Sequence, residues 1–271
     1  MAQYLDDDDY EALDRIDQMV SDIRATADSL TVPDSGTELD QDDEETVGER
    51  TASRVVSASI TSALCGLQGF QALWAGGEKL QRGTTFGLVH RTALLGACEA
   101  FWVIRPDDRE SRVRRANASA LRQLNDEILS KEDIQTMDRL FQDDREVTDE
   151  ELEGLRSIRT DLTHAVGGRP PSLTTMFKEV ASDLISDEFF ADEDVEHFSQ
   201  VLRSQWRTSS ADAHGASWQH RFSDPLAEDQ EYDSPVVKRV ADLGMVIAKA
   251  YTAAGIARYA AHIWEQRAIA D

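Results

Sequence analysis

The sequence is short of cysteine, proline and positive charge, and it contains no long apolar run. Two cysteines, Cys65 and Cys98, occur in 271 residues. Two make no disulfide framework, and neither has metal-ligand spacing. Each falls inside an apolar helical pattern, so both are expected as buried free thiols in a reducing compartment. No stretch reaches the roughly 18 apolar residues of a membrane span. Met1 to Asp6 lack the basic and apolar regions of a secretory signal. The expectation is a soluble, cytoplasmic protein with no membrane association. Phosphate-binding glycine loops, a Gly-x-Ser-x-Gly elbow and helical His-x3-His or Glu-x2-His pairs are also missing. Their absence argues against nucleotide-binding and serine-hydrolase sites and against di-iron bundles. No metal and no cofactor is expected. His197 follows Glu193 and Glu196 at a spacing that is not a di-iron motif, and His90, His220 and His262 stand alone as structural residues.

Cations number 28 against 52 acids, a net charge of −24. That excludes nucleic-acid binding over the whole surface. The imbalance is local: residues 1–50 hold 17 acids and 3 bases. Salt-adapted proteins are acidic too, but they spread the acid over the surface, so that explanation ranks second.

The six prolines fall at breaks in a pattern that is otherwise helical. Tyr10, Leu13, Ile16, Met19, Val20 and Ile23 predict an amphipathic helix within residues 1–31, whose stripe needs a body or another subunit to cover it. Residues 32–50, with Pro33, Gly36, Gly48 and the acids from Asp40 to Glu45, read as a flexible acidic linker. From Thr51 to Asp271 the spacing predicts one helical bundle domain. Its helices run from Thr51 to Trp74, from Thr84 to Ile104 (stopped by Pro106), and from Asp107 to Lys131, with a short helix over 133–141. The next is opened by a capping box, Thr148 with Glu151, and ended by Gly167-Gly168. Further helices follow around Met176, after an Asp192 N-cap, and from Ser234-Pro235 to Ala268. No strand-like alternation occurs. The fold class is all-α, a multi-helix bundle with long antiparallel helices.

Polar residues intrude on apolar helix faces in two places. Arg91 and Glu99 are eight apart in the second long helix, within about 80° of one another. Trp206, Arg207, Ser210 and His214 gather before Gly215, the expected helix stop. Arg207 and His214, seven apart, fall within about 20°, and Ser210 within about 60° of Arg207. Arg159 and His164, five apart, diverge by about 140° on an unbroken helix, which ranks them lower. Arg109, Arg112, Arg114, Arg115 and Arg122 make one helix strongly basic. They serve either as a footprint for RNA or, the favoured reading, to neutralise the acidic arm.

Arg207-x6-His214 and Arg159-x4-His164 resemble the Arg-x4–6-His pattern of HEPN-domain ribonucleases, which are all-α. The longer run Trp206-Arg207-x2-Ser210-x2-Ala213-His214-Gly215-x2-Trp218 is similar to a signature of uncharacterised all-helical bacterial proteins, common in actinobacteria. Arg91, Glu99 and Trp102, followed by Pro106, look like that family's earlier helix. The resemblance covers about residues 84–130 and 200–220, and no established activity comes with it. It implies candidate binding residues Arg91, Glu99, Trp102, Trp206 and Trp218. The HEPN pattern implies a metal-independent ribonuclease of a defence or toxin system, with one site built across a homodimer. His214 would be its acid/base, Arg207 its phosphate anchor and Ser210 an orienting hydroxyl. The favoured reading is a non-enzymatic helical protein that oligomerises or binds a protein partner. In it the same polar residues form a packing node with a carboxylate such as Glu99.

Overall fold

A computed structural model of the chain describes residues 7–29, 32–76, 83–141, 147–187, 194–213 and 243–270. All regular structure among them is helical: α1 Asp7–Ser29, α2 Glu38–Glu45, α3 Ala52–Ala75, α4 Gly83–Ile104, α5 Arg109–Phe141, α6 Asp149–Val166, α7 Leu173–Ser186, α8 Val195–Ala213 and α9 Leu243–Ala268. The all-α expectation holds. No helix among the described residues is long and apolar enough to cross a membrane.

Local chemistry sets most helix ends. Thr51 caps α3 by accepting from the Arg54 amide. Thr148 caps α6 by accepting from the Glu151 amide at 3.1 Å. The return half of the capping box is absent, because the Glu151 carboxylate turns to Lys131 of α5 instead. Gly167 ends α6 at φ 77°, which only glycine adopts without steric cost, and the Gly168 amide donates back to the Thr163 carbonyl at 2.9 Å. At α8 the cap is Asp194, which accepts from the His197 amide at 2.9 Å; Asp192 lies outside the described residues.

Two expectations need correction. The segment expected to be a flexible acidic linker carries α2, packed on α3, α5 and α9. Its acids face partners rather than solvent alone: Asp42 is buried, and Asp43 accepts from the Ser53 amide at 2.8 Å. The predicted break near Lys131 does not occur, and α5 runs unbroken for 33 residues.

α4 is the central element, packing against α3, α5, α7, α8 and α9. Its mean composition explains this: Phe86, Leu94, Ala97, Cys98, Phe101, Trp102 and Val103 are all buried. α3 and α4 run antiparallel and cross closely at Gly66 and Gly96. A Cβ on Gly66 would lie 2.5 Å from the Ala93 amide nitrogen, and one on Gly96 would lie 2.6 Å from the Ser59 carbonyl oxygen. α1 covers its stripe on α9 and α3. Ile16, Val20 and Ile23 are buried there, and Thr26 Oγ1 donates to Glu265 Oε1 at 2.7 Å.

Candidate functional site

Two polar side chains of α4, Glu99 and Trp102, are held by neighbouring helices on both sides of it in sequence. Glu99 sits at the junction of α3, α4 and α5. Ser119 Oγ donates to its Oε1 at 2.5 Å, Arg122 Nη1 to the same oxygen at 3.3 Å, and Ser59 Oγ to its Oε2 at 3.3 Å. Trp102 is buried, and its indole Nε1 donates to Glu179 Oε2 of α7 at 2.7 Å. Arg115 lies 5.4 Å from the Trp102 ring centroid and Arg122 6.0 Å, within cation–π range. Arg115 also donates to the Trp102 carbonyl at 2.8 Å and pairs with Glu179 and Asp183, each at 3.2 Å. Burial pushes the Asp183 carboxyl up, against the pull of Arg115. Burial lowers the Arg122 guanidinium, opposed by Glu99 and then Asp126.

Glu99 and Trp102 are thus tied to one lattice of arginines and carboxylates, and the sequence reading missed their partners Arg115, Ser119, Arg122, Glu179 and Asp183. A signal existed for three of them. Arg112, Arg115, Ser119 and Arg122 fall at i, i+3, i+7 and i+10, which is one helix face. The basic helix does neutralise the acidic arm. Arg112 forks onto the buried Asp42 of α2 at 2.6 and 3.0 Å, and Arg109 pairs with Glu45 at 3.0 Å.

Arg91 lines a cleft of about 360 Å³ between α3, α4 and α5, with Glu99 and Gln123 on its walls. Its Nε is covered and bonds to none of the described residues.

On α8, Trp206 packs at 6.0 Å from Phe177 of α7, ring centroid to ring centroid. Arg207 is exposed and Ser210 is half-buried. The atoms Trp206 Nε1 and Ser210 Oγ are covered and have no hydrogen-bond partner among the described residues, and Arg203 Nε and Ser199 Oγ are in the same state. These four residues follow one stripe, at i, i+4, i+7 and i+11. The node expected between Ser210 and Glu99 is therefore not formed: Glu99 is taken by Ser59, Ser119 and Arg122. His214, Gly215 and Trp218 lie outside the described residues. On α6, Arg159 is half-buried and His164 exposed, and no bond joins them.

The thiols also divide. Cys98 is buried, and burial pushes its thiol far up and keeps it protonated. Cys65 is exposed, against expectation, because its position on α3 falls outside the faces that meet α1 and α4. No group of three or more histidine, cysteine or acidic side chains that could hold a metal occurs among the described residues.

His90, read as structural, is buried between α4 and α8, with Nδ1 2.7 Å from Ser209 Oγ. Burial, then the nearby Lys249 charge, hold its pKa down to about 3. The unfolded chain protonates near pH 6.5. The contribution of neutral His90 is therefore fully present above that pH and lost as pH falls toward the folded value. Urea unfolding between about pH 6 and 5 should show the wild type losing about 1.4 kcal/mol per pH unit more than His90→Phe. Equal slopes would show that His90 takes up its proton without loss of the fold.

No protein-family model, no curated protein and no solved structure matches the chain.

Proposed function

We propose that the protein is a non-enzymatic helical interaction protein of the cytoplasm, which self-associates through the outer face of α8. The observation that carries this reading is Arg207. It stands exposed on α8 with no carboxylate paired to it among the described residues, while the chain holds 52 acids against 28 bases. Arginine is enriched among residues that anchor protein interfaces. A second copy of so acidic a chain offers carboxylates in excess. Sedimentation of wild type and Arg207→Glu tests the reading. The charge reversal should weaken the dimer at least tenfold, on the order of 1.4 kcal/mol. A monomeric wild type, or a dimer indifferent to Arg207, sinks it.

One observation favours a second reading, a metal-independent HEPN-like ribonuclease that uses Arg207, Ser210 and His214. The covered, unpartnered Ser210 Oγ and Trp206 Nε1 are polar atoms that a packed helix ordinarily satisfies, and they flank Arg207. Wild type and His214→Ala would be expressed side by side and cellular RNA compared. Equal RNA integrity and equal growth are expected under the interaction reading. Cleavage by wild type alone would replace it with the ribonuclease.

A further inference from the structure

We infer that the cleft between α3, α4 and α5 is a binding site for a small oxyanion, a carboxylate or a phosphate, held by Arg91. The inference does not rest on the reading of α8. The cleft is about 360 Å³, bounded by Ser59 and Ser62 of α3, Arg91, Thr92 and Glu99 of α4, and Gln123 of α5. That volume falls at the lower end of the roughly 300–1,000 Å³ typical of small-molecule sites.

Arg91 differs from the two arginines that reach residues of the same cleft. Arg50, which donates to Gln123, and Arg122, which donates to Glu99, each pair with a carboxylate. Arg91 pairs with none among the described residues, and its Nε is shut off from water without an acceptor. A covered donor left unpaired is unfavourable, and more so on a charged group. The nearest carboxylate on its own helix does not relieve it. Glu99 already accepts from Ser59, Ser119 and Arg122, and Arg122 offsets its charge. None of the described residues supplies the acceptor that Arg91 lacks, and a bound anion would do so.

The chemistry of the lining narrows the ligand. The guanidinium fork matches the paired oxygens of a carboxylate or phosphate. Ser62, Thr92 and Gln123 add hydroxyl and amide groups to the walls, so the bound molecule is polar beyond its charged end. The net charge of −24 repels anions at long range. That field is screened beyond roughly 8 Å at physiological ionic strength, so the local cation decides.

Titration calorimetry on the full chain, with inorganic phosphate in one arm and acetate in the other, tests the site. At least one anion should bind with a dissociation constant of about 1 mM or tighter. Arg91→Met should weaken it at least tenfold, and Arg91→Lys should retain part. Binding in the phosphate arm alone assigns a phosphate ligand, and binding in the acetate arm alone a carboxylate. Should Arg91→Met fail to fold, phenylglyoxal labelling of the wild type, read by mass spectrometry, replaces it. The bound anion should then protect Arg91 and leave the exposed Arg114 of α5 reactive. Absence of binding in both arms, or binding that neither depends on nor protects Arg91, overturns the inference.

Discussion

Gly96→Ala should destabilise the fold by about 3 kcal/mol, with urea unfolding as the measurement. The new Cβ would meet the Ser59 carbonyl oxygen at 2.6 Å and the Ala63 amide nitrogen at 2.7 Å. Both belong to the backbone of α3, so no side-chain rotation relieves the clash. α3 and α4 would have to separate, and the contacts around Ile60, Ala63, Ala93 and Ala97, all buried, would loosen with them. Alanine's better helix propensity works the other way, by about 1 kcal/mol, and is outweighed. Gly154 supplies the control. It lies within α6, and a Cβ there meets nothing within 4 Å. Gly154→Ala should therefore stabilise the protein by roughly 0.5–1 kcal/mol. The same chemical change is thus expected to have opposite signs at two helical positions. A neutral Gly96→Ala would mean that the α3–α4 crossing gives way easily.

Asp42→Ala should cost about 3–5 kcal/mol by the same measurement. Asp42 is fully buried and Arg112 nearly so, at 3% exposure. Arg112 reaches Asp42 through Nε at 2.6 Å and Nη2 at 3.0 Å, and its Nη1 donates to the carbonyls of Pro106 and Asp107 at 3.1 and 2.8 Å. Burial pushes the Asp42 carboxyl up, and the hydrogen bonds and charge of Arg112 pull it back. Removing the carboxylate leaves a buried guanidinium facing two carbonyl dipoles and the largely exposed Glu38, 3.3 Å from its Nη2. The double replacement Asp42→Leu with Arg112→Met removes both charges and should recover most of the loss, because an apolar pair of similar bulk carries no desolvation cost. A loss below about 1 kcal/mol in Asp42→Ala would show that water reaches Arg112 once α2 loosens.

Helices whose signals are local were legible in the sequence. Thr51 and Thr148 announce α3 and α6, and Gly167 ends α6, because caps are chemistry within a few residues of the helix they serve. α2 was not legible. Six of its eight residues are acidic, and Leu39 is its one buried apolar side chain. Read alone, such a segment has too little to bury to stay ordered. Its partners, Arg109 and Arg112, lie some 70 residues on in sequence. The acidic and basic runs could be matched by charge, but not which acid meets which base. In the stripe of α4, Arg91 and Glu99 emerged from their spacing and Trp102 from the family resemblance, and all three lie on the helix where they were expected. What each side chain touches did not emerge, because Ser59, Ser119, Arg122 and Glu179 reach the stripe from three other helices. On α8, spacing put Arg207 and Ser210 near one another. It could not say that the first would stand in solvent while the hydroxyl of the second is covered.

The seat of α1 on α9 also constrains how the chain reaches its folded form. Residues 30–242 separate the two helices. At about 5–20 residues per second, a ribosome needs roughly 10–40 s to make that stretch. For that interval Ile16, Met19, Val20 and Ile23 have only part of their seat, the part that α3 supplies. Pairings so distant in sequence close late, since loop entropy must be met before they contribute. α1, made well before α9, is therefore among the last helices to settle. Its run of aspartates from Asp7 to Asp9, with Asp14, Asp17 and Asp22 behind them, gives the waiting segment a like-charged coat. Nascent copies of it repel one another until α9 arrives.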